Sequence, residues 1–184
     1  MGYLIFILNF CCQKEEEKKI KMLEKDGAID FSRLELTREE ILSFEQIYIV
    51  ACGSAWHVGM AAQYVLEDMA RIPVRVELAS EFRYRPMALN KNALVIVISQ
   101  SGETADSLAA LRLAKKKGLK TLGIVNVVGS SIAREADNVF YTLAGPEIAV
   151  ATTKAYSTQL IAGYCLAVQF ALVRGCISQG RYQD

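Results

Sequence analysis

Three continuous apolar runs constrain the fold of this chain more than any other feature of its sequence. They are QIYIVACG, which ends in a glycine at residue 53, ALVIVIS at residues 93–99 and KTLGIVN at residues 120–126. A strand with one face in water alternates apolar and polar residues, and these runs do not alternate. They are typical of strands in a parallel sheet that helices cover on both faces.

Weaker strands and several helices fit around these runs. VRVEL at residues 74–78 alternates as a strand does, and NVFYTLA at residues 138–144 predicts a weaker strand. The predicted helices are a short one opened by a capping box of Thr37 and Glu40, one from about Ala55 to Arg71, one from SGET to Lys117, and a long one from about Thr152 to Val173. Because strands alternate with helices, the expected fold class is α/β, a three-layer αβα sandwich with a central, mostly parallel sheet.

Two of these helices carry a further expectation about their surfaces. In the helix that ends at Lys117, one side carries residues that we expect to face the sheet: Ala105, Leu108, Leu111 and Ala114. Residues 160–173 of the long helix are apolar almost all round. Since one αβα layer normally hides less apolar surface than that, we expect the chain to self-associate.

The composition excludes several classes of function. The 21 Lys and Arg residues against 20 Asp and Glu leave a net charge of +1, so the overall charge favours neither nucleic acid nor a membrane as a partner. His57 is the single histidine and the five cysteines show no CxxC spacing, so no metal site is expected, and no cofactor either. An odd number of cysteines fits free thiols in a reducing compartment, and the expected location is cytoplasmic.

The length of 184 residues allows one domain with short extensions. Residues 1–25 are predicted to be an atypical extension. Its apolar part, YLIFILNFCC, is shorter than the roughly 20 residues of a spanning helix and lacks the preceding positive charge of a signal peptide. It is interpreted as an amphipathic tail, with a packing arm or an artefact of how the chain was delimited as alternatives. Residues 26–45 are expected to form a linker and short helix, residues 46–175 the domain, and residues 176–184 a tail.

The sharpest local motif is SQSGET, which starts at Ser99 and joins a buried strand to a helix. The start of a helix presents unpaired N–H groups and about half a positive charge, which suits a phosphate. Ser99, Ser101 and Thr104 add hydroxyl groups, Gln100 adds an amide, and Gly102 lets the backbone approach a ligand closely. The motif contains no Lys or Arg, so it predicts a neutral phosphate cradle. An ordinary polar turn between strand and helix is the alternative.

A second strand ends at the sequence CGSA, where a glycine and the hydroxyl of Ser54, the expected helix cap, open the next helix. The carboxyl ends of parallel strands meet at one edge of a sheet, so we expect both loops to face one crevice. Cys52 is interpreted as a small buried residue rather than a reactive thiol. His57 is interpreted as a capped, packed or exposed histidine rather than a catalytic one.

A third candidate segment is EIAVATTK, from Glu147 to Lys154, which follows the weaker strand and a Gly-Pro turn. Its polar groups are placed to line the rim of the same crevice. Lys154 is equally compatible with a surface ion pair. The carboxylates of Glu103 and Glu147 have no visible partner for acid–base chemistry, so capping or hydrogen bonding is the expected role of both.

Two other patterns, the arginines of SEFRYRP and the glycine after the first strand, are not expected to bind a ligand. Arg83 and Arg85, in SEFRYRP, are expected to pair with Glu81 at the surface rather than to bind an anion. The first strand ends in a glycine, as in dinucleotide-binding folds, but the GxGxxG pattern is missing. A dinucleotide site is therefore not expected.

Four segments together resemble one family closely. CGSAWHVGM, ELASEFRYR, SQSGETADS and GPEIAVATTKAYSTQ occur in this order. They are similar to the first SIS (sugar isomerase) domain of glutamine–fructose-6-phosphate aminotransferase, the isomerising enzyme that makes glucosamine 6-phosphate. The resemblance runs from about Asp26 to about Gly175 and implies a flavodoxin-like or Rossmann-like SIS domain over residues 46–175.

The resemblance implies that the chain binds the phosphate of fructose 6-phosphate or glucosamine 6-phosphate. The residues that it assigns to the phosphate are Ser99, Gln100, Ser101, Thr104 and Ser54. The residues that it assigns to the sugar are Cys52, Gly53, Val150, Ala151 and Thr152. The family commonly has Thr-Ser where this chain has Ser54 and Ala55. One hydroxyl is therefore lost, and the affinity is expected to be several-fold lower.

The resemblance also implies catalytic parts that these 184 residues do not contain. The family enzyme has a glutaminase domain with an N-terminal cysteine, a second SIS domain and a catalytic tail, whereas here residue 2 is Gly2 and SQSGET occurs once. The chain is therefore interpreted as a truncated or excised binding half with no catalytic residues. Its expected protein partners are a second copy, in a homodimer, or the missing enzyme domains. A stand-alone sugar-phosphate sensor and a small isomerase that takes its base from Glu103, Glu147 or His57 are the alternatives.

Overall fold

The protein is described from a computed structural model, which covers residues 34–145 and 153–178. Five strands in this part of the chain form one sheet in the order β2-β1-β3-β4-β5, and every neighbouring pair is parallel. The predicted α/β class with a parallel sheet is therefore confirmed. The strands are β1 (Gln46–Ala51), β2 (Val74–Leu78), β3 (Ala93–Ser99), β4 (Lys120–Val125) and β5 (Asn138–Tyr141).

The helices connect these strands and agree with the predicted boundaries to within a few residues. Two short helices, Ala79–Tyr84 and Ser131–Glu135, were not predicted, because five or six residues are too few to show a helical period. The helices are α1 (Arg38–Ser43), α2 (Ser54–Val65) with a π-helical continuation (Leu66–Ala70), α3 (Ala79–Tyr84), α4 (Ala105–Lys116), α5 (Ser131–Glu135) and α6 (Thr153–Val173).

The core lies in two layers, one on each face of the sheet. Successive residues of a strand point to opposite faces, and in β1 the residues Ile47 and Ile49 lie in one cluster while Tyr48 and Val50 lie in the other. The first cluster is completed by α1, α2, the π-helical segment and α6, and the second by α3, α4 and α5. This arrangement is the predicted three-layer αβα sandwich.

Helix α1 is fixed to the domain at both of its ends. The Glu40 N–H donates to Thr37 Oγ1 at 3.2 Å, and the Thr37 N–H donates to Glu40 Oε2 at 2.9 Å, which confirms the predicted capping box. The ammonium group of Lys120 lies 2.7 Å from Glu40 Oε1 and holds the pKa of this carboxyl below its usual range. At the other end, Arg174 donates to the carbonyl groups of Ile41 and Phe44 at 3.3 Å.

Helix α6 is a core helix of the first layer. It packs on α2 so closely that a Cβ added at Gly163 would lie 3.0 Å from the Cβ of Ala62. By length and composition its residues Lys154–Val173 could cross a membrane, but more than half of that stretch is buried in the fold. Tyr164 is the exposed residue of the stretch 160–173. The expected excess of free apolar surface on this helix is therefore not found.

The buried side of α4 matches the predicted apolar side only in part. Leu111 and Ala114 are buried as expected, together with Ser107 and Ala110, whereas Ala105 is exposed and Leu108 only half-buried. Ser107 tolerates burial because its hydroxyl donates to Cys52 Sγ at 3.7 Å, across to the loop after β1. The helix is thus rotated so that a polar residue faces this loop, which apolar spacing could not show.

The contact between α2 and the sheet predicts the effect of a larger residue at Gly59. A Cβ there would lie 2.9 Å from Ile49 Cγ2 and 3.0 Å from Val76 Cγ1. We expect Gly59→Val to lower the free energy of unfolding by about 1–3 kcal/mol, as overpacking does. Ala61→Val, at a half-buried site on the same helix, is the control and should change it by less than about 0.5 kcal/mol. Urea denaturation measures both, and equal losses would contradict the packing argument.

Candidate functional site

The candidate site lies where the order of the strands reverses. From β1 the chain moves outward to β2, and from β3 it moves the other way to β4 and β5. The loops after β1 and β3 therefore separate at the carboxyl edge of the sheet and leave a crevice, the usual ligand position in such sheets. The two predicted loops are brought together there, and the contact between Ser107 and Cys52 joins them.

Inside the SQSGET loop, two of the hydroxyls hold the backbone. Ser99 Oγ accepts from the Gly102 N–H at 3.0 Å and lies 3.1 Å from Thr104 Oγ1. Ser101 Oγ accepts from the Glu103 N–H at 3.2 Å. Ser99 is buried, so its role in this structure is to shape the loop, while Ser101 and Thr104 are only half-buried.

The start of α4 is open to an anion. Thr104 is the N-cap residue of this 12-residue helix, and no side chain of the described residues caps its first N–H groups. These groups carry the partial positive charge of the helix start. Asp106, in the same turn, is paired with Arg83 at 3.3 Å. An anion placed against the loop would therefore meet unpaired backbone donors and the hydroxyl groups of Ser101 and Thr104.

Helix α5 holds the far side of this loop. The Ile132 N–H donates to the Gly102 carbonyl at 3.0 Å, and the Ser131 N–H donates to Glu103 Oε1 at 2.7 Å. The hydrogen bonds from Ser131 keep the pKa of the Glu103 carboxyl below its usual range. Glu103 therefore caps α5, as expected, and is poorly suited to act as a base for an isomerase.

Any other residue in place of Gly102 would be strained, in its backbone and against Ser130. The φ of Gly102 is +67°, in the left-handed region, and a Cβ there would lie 2.1 Å from Ser130 Oγ. Ser130 is buried, and its hydroxyl has no partner among the described residues. The loop thus rests directly on the residue that precedes α5.

The loop after β1 corrects one expectation. The N-cap of α2 is Gly53, with φ +57°, and Ser54 is the first helical residue, so Ser54 does not cap the helix. Its side chain is exposed beside the crevice, whereas Ala55 is buried in the core. A positive φ at the turn brings glycine to the capping position. Ser54 is thereby left without the capping role that the sequence suggested.

The remaining predicted residues are placed as follows. Cys52 is half-buried at the crevice, and Cys52, Cys165 and Cys176 are free thiols. His57 is exposed and meets the Trp56 ring edge-on at 5.0 Å between centroids. Three residues assigned to the sugar, together with Glu147, lie outside the described residues: Val150, Ala151 and Thr152. Across residues 34–145 and 153–178 no group of three or more His, Cys, Asp or Glu could hold a metal ion.

The two arginines of SEFRYRP do not pair with Glu81. Arg83 reaches Asp106 on α4, and Arg85 lies 2.5 Å from Glu77 on β2, which also pairs with Arg75. Glu81 belongs to the first turn of α3. The prediction of these pairs was wrong because it used neighbours in sequence, whereas the partners lie on adjacent elements of the fold.

One buried polar residue beside the SQSGET loop was missed by the sequence analysis. Asn126, directly after β4, is buried and forms hydrogen bonds to the SQSGET loop and to the segment after β5. A single polar residue behind an apolar run gives little indication of such a role. The close packing of Ser130 against Gly102 was also missed, because the SQSGET motif itself does not indicate it.

The fit of Gly102 against Ser130 predicts a larger loss than its backbone angle alone. Gly118 also has a left-handed φ, +76°, but nothing lies within 4 Å of its added Cβ. Gly102→Ala and Gly118→Ala should share the backbone cost of about 1 kcal/mol. We expect Gly102→Ala to lose about 1–3 kcal/mol more, from the clash with Ser130. Equal losses in urea denaturation would show that Ser130 yields freely.

Comparison with known proteins identifies the family. The SIS domain model matches residues 40–169. The chain is 55% identical to the isomerising glutamine–fructose-6-phosphate aminotransferase of Clostridium tetani, over 100% of this chain and 31% of that protein. It is 58% identical to the same enzyme of Caldanaerobacter subterraneus subsp. tengcongensis, over 83% of this chain and 25% of that protein. The chain thus spans about a third or less of these relatives.

A solved structure supports the same family assignment. The C-terminal domain of glucosamine-fructose-6-phosphate aminotransferase from Francisella tularensis superposes with a TM-score of 0.84 and 39% identity, over 88% of this chain and 46% of that chain. The likeness in fold and the likeness in sequence therefore point to the same group of proteins. The chain belongs to the SIS domain family and is homologous to part of the isomerising glutamine–fructose-6-phosphate aminotransferases.

Proposed function

We propose that the chain binds the phosphate group of fructose 6-phosphate, or of its product glucosamine 6-phosphate, as the sugar-phosphate-binding part of such an aminotransferase. The observation that carries the proposal is the uncapped start of α4 behind the SQSGET loop, at the point where the strand order reverses. The curated relatives named above take fructose 6-phosphate by name, which supports the choice of sugar phosphate.

The phosphate is held without a cation from the loop. The donors are the first N–H groups of α4, the hydroxyl groups of Ser101 and Thr104, and the amide of Gln100. A helix start supplies about half a positive charge and fixed donors, which suffices for a phosphate group. Ser99 shapes this cradle from below, since its oxygen is already engaged with Gly102 and Thr104. Ser54, exposed on the other loop, adds a hydroxyl group from across the crevice.

The sugar lies toward the loop after β1. Cys52 and Gly53 form that side of the crevice, and the segment with Val150, Ala151 and Thr152 completes the sugar contacts that the family resemblance assigns. The protein partners in this proposal are a second copy of the chain or the remaining domains of the aminotransferase. The compartment is the cytoplasm, where the thiols of Cys52, Cys165 and Cys176 stay reduced.

A small isomerase is the weaker candidate, because the described crevice offers it no suitable base. The Glu103 carboxylate is engaged by Ser131, and His57 is exposed against Trp56. The proposal therefore assigns binding rather than turnover to this chain, and no catalytic residue is assigned within it.

Calorimetric titration of the purified chain tests the proposal. Fructose 6-phosphate and glucosamine 6-phosphate should bind, and fructose should not bind at the same concentrations. Equal binding of fructose and fructose 6-phosphate, or no binding of either phosphate ester, would overturn the proposal.

The Thr104 hydroxyl allows a sharper test of the cradle. Thr104→Val removes one donor at the start of α4 with little change of shape, and we expect the affinity for fructose 6-phosphate to fall about fivefold to tenfold. Thr121→Val is the control: it removes a buried hydroxyl at the amino end of β4, away from the crevice. An unchanged dissociation constant for Thr104→Val would exclude this hydroxyl from the site.

A further inference from the structure

Asn126 joins the two loops that flank β4 at the carboxyl edge of the sheet. Its backbone N–H donates to the carbonyl of Gln100, in the SQSGET loop, at 3.1 Å. Its side chain bonds to the segment after β5. Oδ1 accepts from the Ala144 N–H at 2.7 Å and from Thr142 Oγ1 at 3.2 Å, and Nδ2 donates to the Gly145 carbonyl at 2.8 Å. The residue is 8% exposed, so these bonds are shielded from water.

The segment that Asn126 holds has an unusual backbone. Leu143 has φ +48° and Gly145 has φ +75°. A left-handed conformation is unfavourable for leucine, and such a residue persists where its surroundings fix it. The hydrogen bonds of Asn126 lie on both sides of Leu143, at Thr142, Ala144 and Gly145. These hydrogen bonds hold the turn in its strained conformation.

Only an amide side chain of this length makes all three side-chain bonds. The site needs an acceptor for Ala144 and Thr142 and a donor for Gly145, which asparagine combines in one group. An aspartate keeps the acceptor but places a negative oxygen against the Gly145 carbonyl. An alanine removes all three bonds. The two substitutions therefore separate loss of the whole tie from loss of its donor alone.

We propose that Asn126 is a positioning residue that fixes the connection after β5 relative to the phosphate loop, and that it thereby sets the preference for a sugar phosphate over bare phosphate. The proposal rests on the sugar-phosphate binding proposed above. The turn from Thr142 to Gly145 follows β5 at the same edge of the sheet as the SQSGET loop. In this proposal the phosphate cradle is formed by Gln100 and its neighbours and the turn borders the sugar, so a shift of the turn changes the fit of the sugar and leaves the cradle intact.

The opposite end of the same two strands provides a matched control. There the Thr121 N–H and hydroxyl donate to Asp137 Oδ2 at 2.9 Å and 2.7 Å, and the Asp137 N–H donates to Thr121 Oγ1 at 3.0 Å. This tie also joins β4 to the start of β5. Thr121 has no exposed surface, whereas Asp137 is exposed. The tie lies at the amino edge of the sheet, away from the crevice. Thr121→Val therefore loosens the same strand pair without touching the proposed site.

The experiment compares the dissociation constants of fructose 6-phosphate and inorganic phosphate, by NMR titration, in the wild-type chain and in Asn126→Ala, Asn126→Asp and Thr121→Val. We expect both Asn126 variants to weaken fructose 6-phosphate about tenfold and inorganic phosphate less than about twofold. Thr121→Val should lower the melting temperature and leave the ratio of the two constants unchanged. If Asn126→Ala does not fold, Asn126→Asp, which keeps two of the side-chain bonds, decides the question.

Three results would overturn the inference in distinguishable ways. A wild-type chain that does not bind fructose 6-phosphate removes the proposed function and this inference with it. A wild-type chain that binds it, with an unchanged ratio in the folded Asn126 variants, removes the inference alone. An equal change of the ratio in Thr121→Val would assign the effect to general loosening of the strand pair, which also removes the inference.

Discussion

Strand β3 is buried along its whole length, and the candidate site depends on that burial. Its seven residues lie between β1 and β4 and are covered from both faces, with exposures from 0% to 3%. All residues of this strand are apolar except the last, Ser99. The first polar side chain of this strand thus lies at the carboxyl edge of the sheet, where the order of strands reverses. The loop therefore begins where the buried apolar strand ends.

The loop shows how hydrogen bonds are divided between structure and ligand. Ser99 and Ser101 accept N–H groups of the loop itself, and Glu103 and Gly102 are tied to α5. Side chains therefore bond to the N–H groups of the turn, whereas the N–H groups at the start of α4 receive no side-chain cap from residues 34–145 and 153–178. If the hydroxyl groups of the loop capped α4 instead, fewer N–H groups would be available to bind an anion. The neutral cradle is a consequence of this division.

The sequence predicted the strands well because burial on both faces leaves unbroken apolar runs. It predicted poorly wherever a residue bonds to another element of the fold. Ser107 bonds to Cys52 in the loop after β1, and Arg85 pairs with Glu77 on β2. Asn126 was missed for the same reason, since its bonds reach residues 18 and 19 positions further on. The roles of Val150, Ala151 and Thr152 stay predictions, as do the domain limits at residues 46 and 175.

The contacts of Arg174 have a consequence for how this domain connects to other protein. They place the end of α6 against α1, and α1 leads directly into the amino end of β1. The path into the domain and the path out of it are therefore neighbours, on the edge of the sheet opposite the crevice. A segment joined to the described fold at either point therefore starts on the side of the sheet away from the crevice.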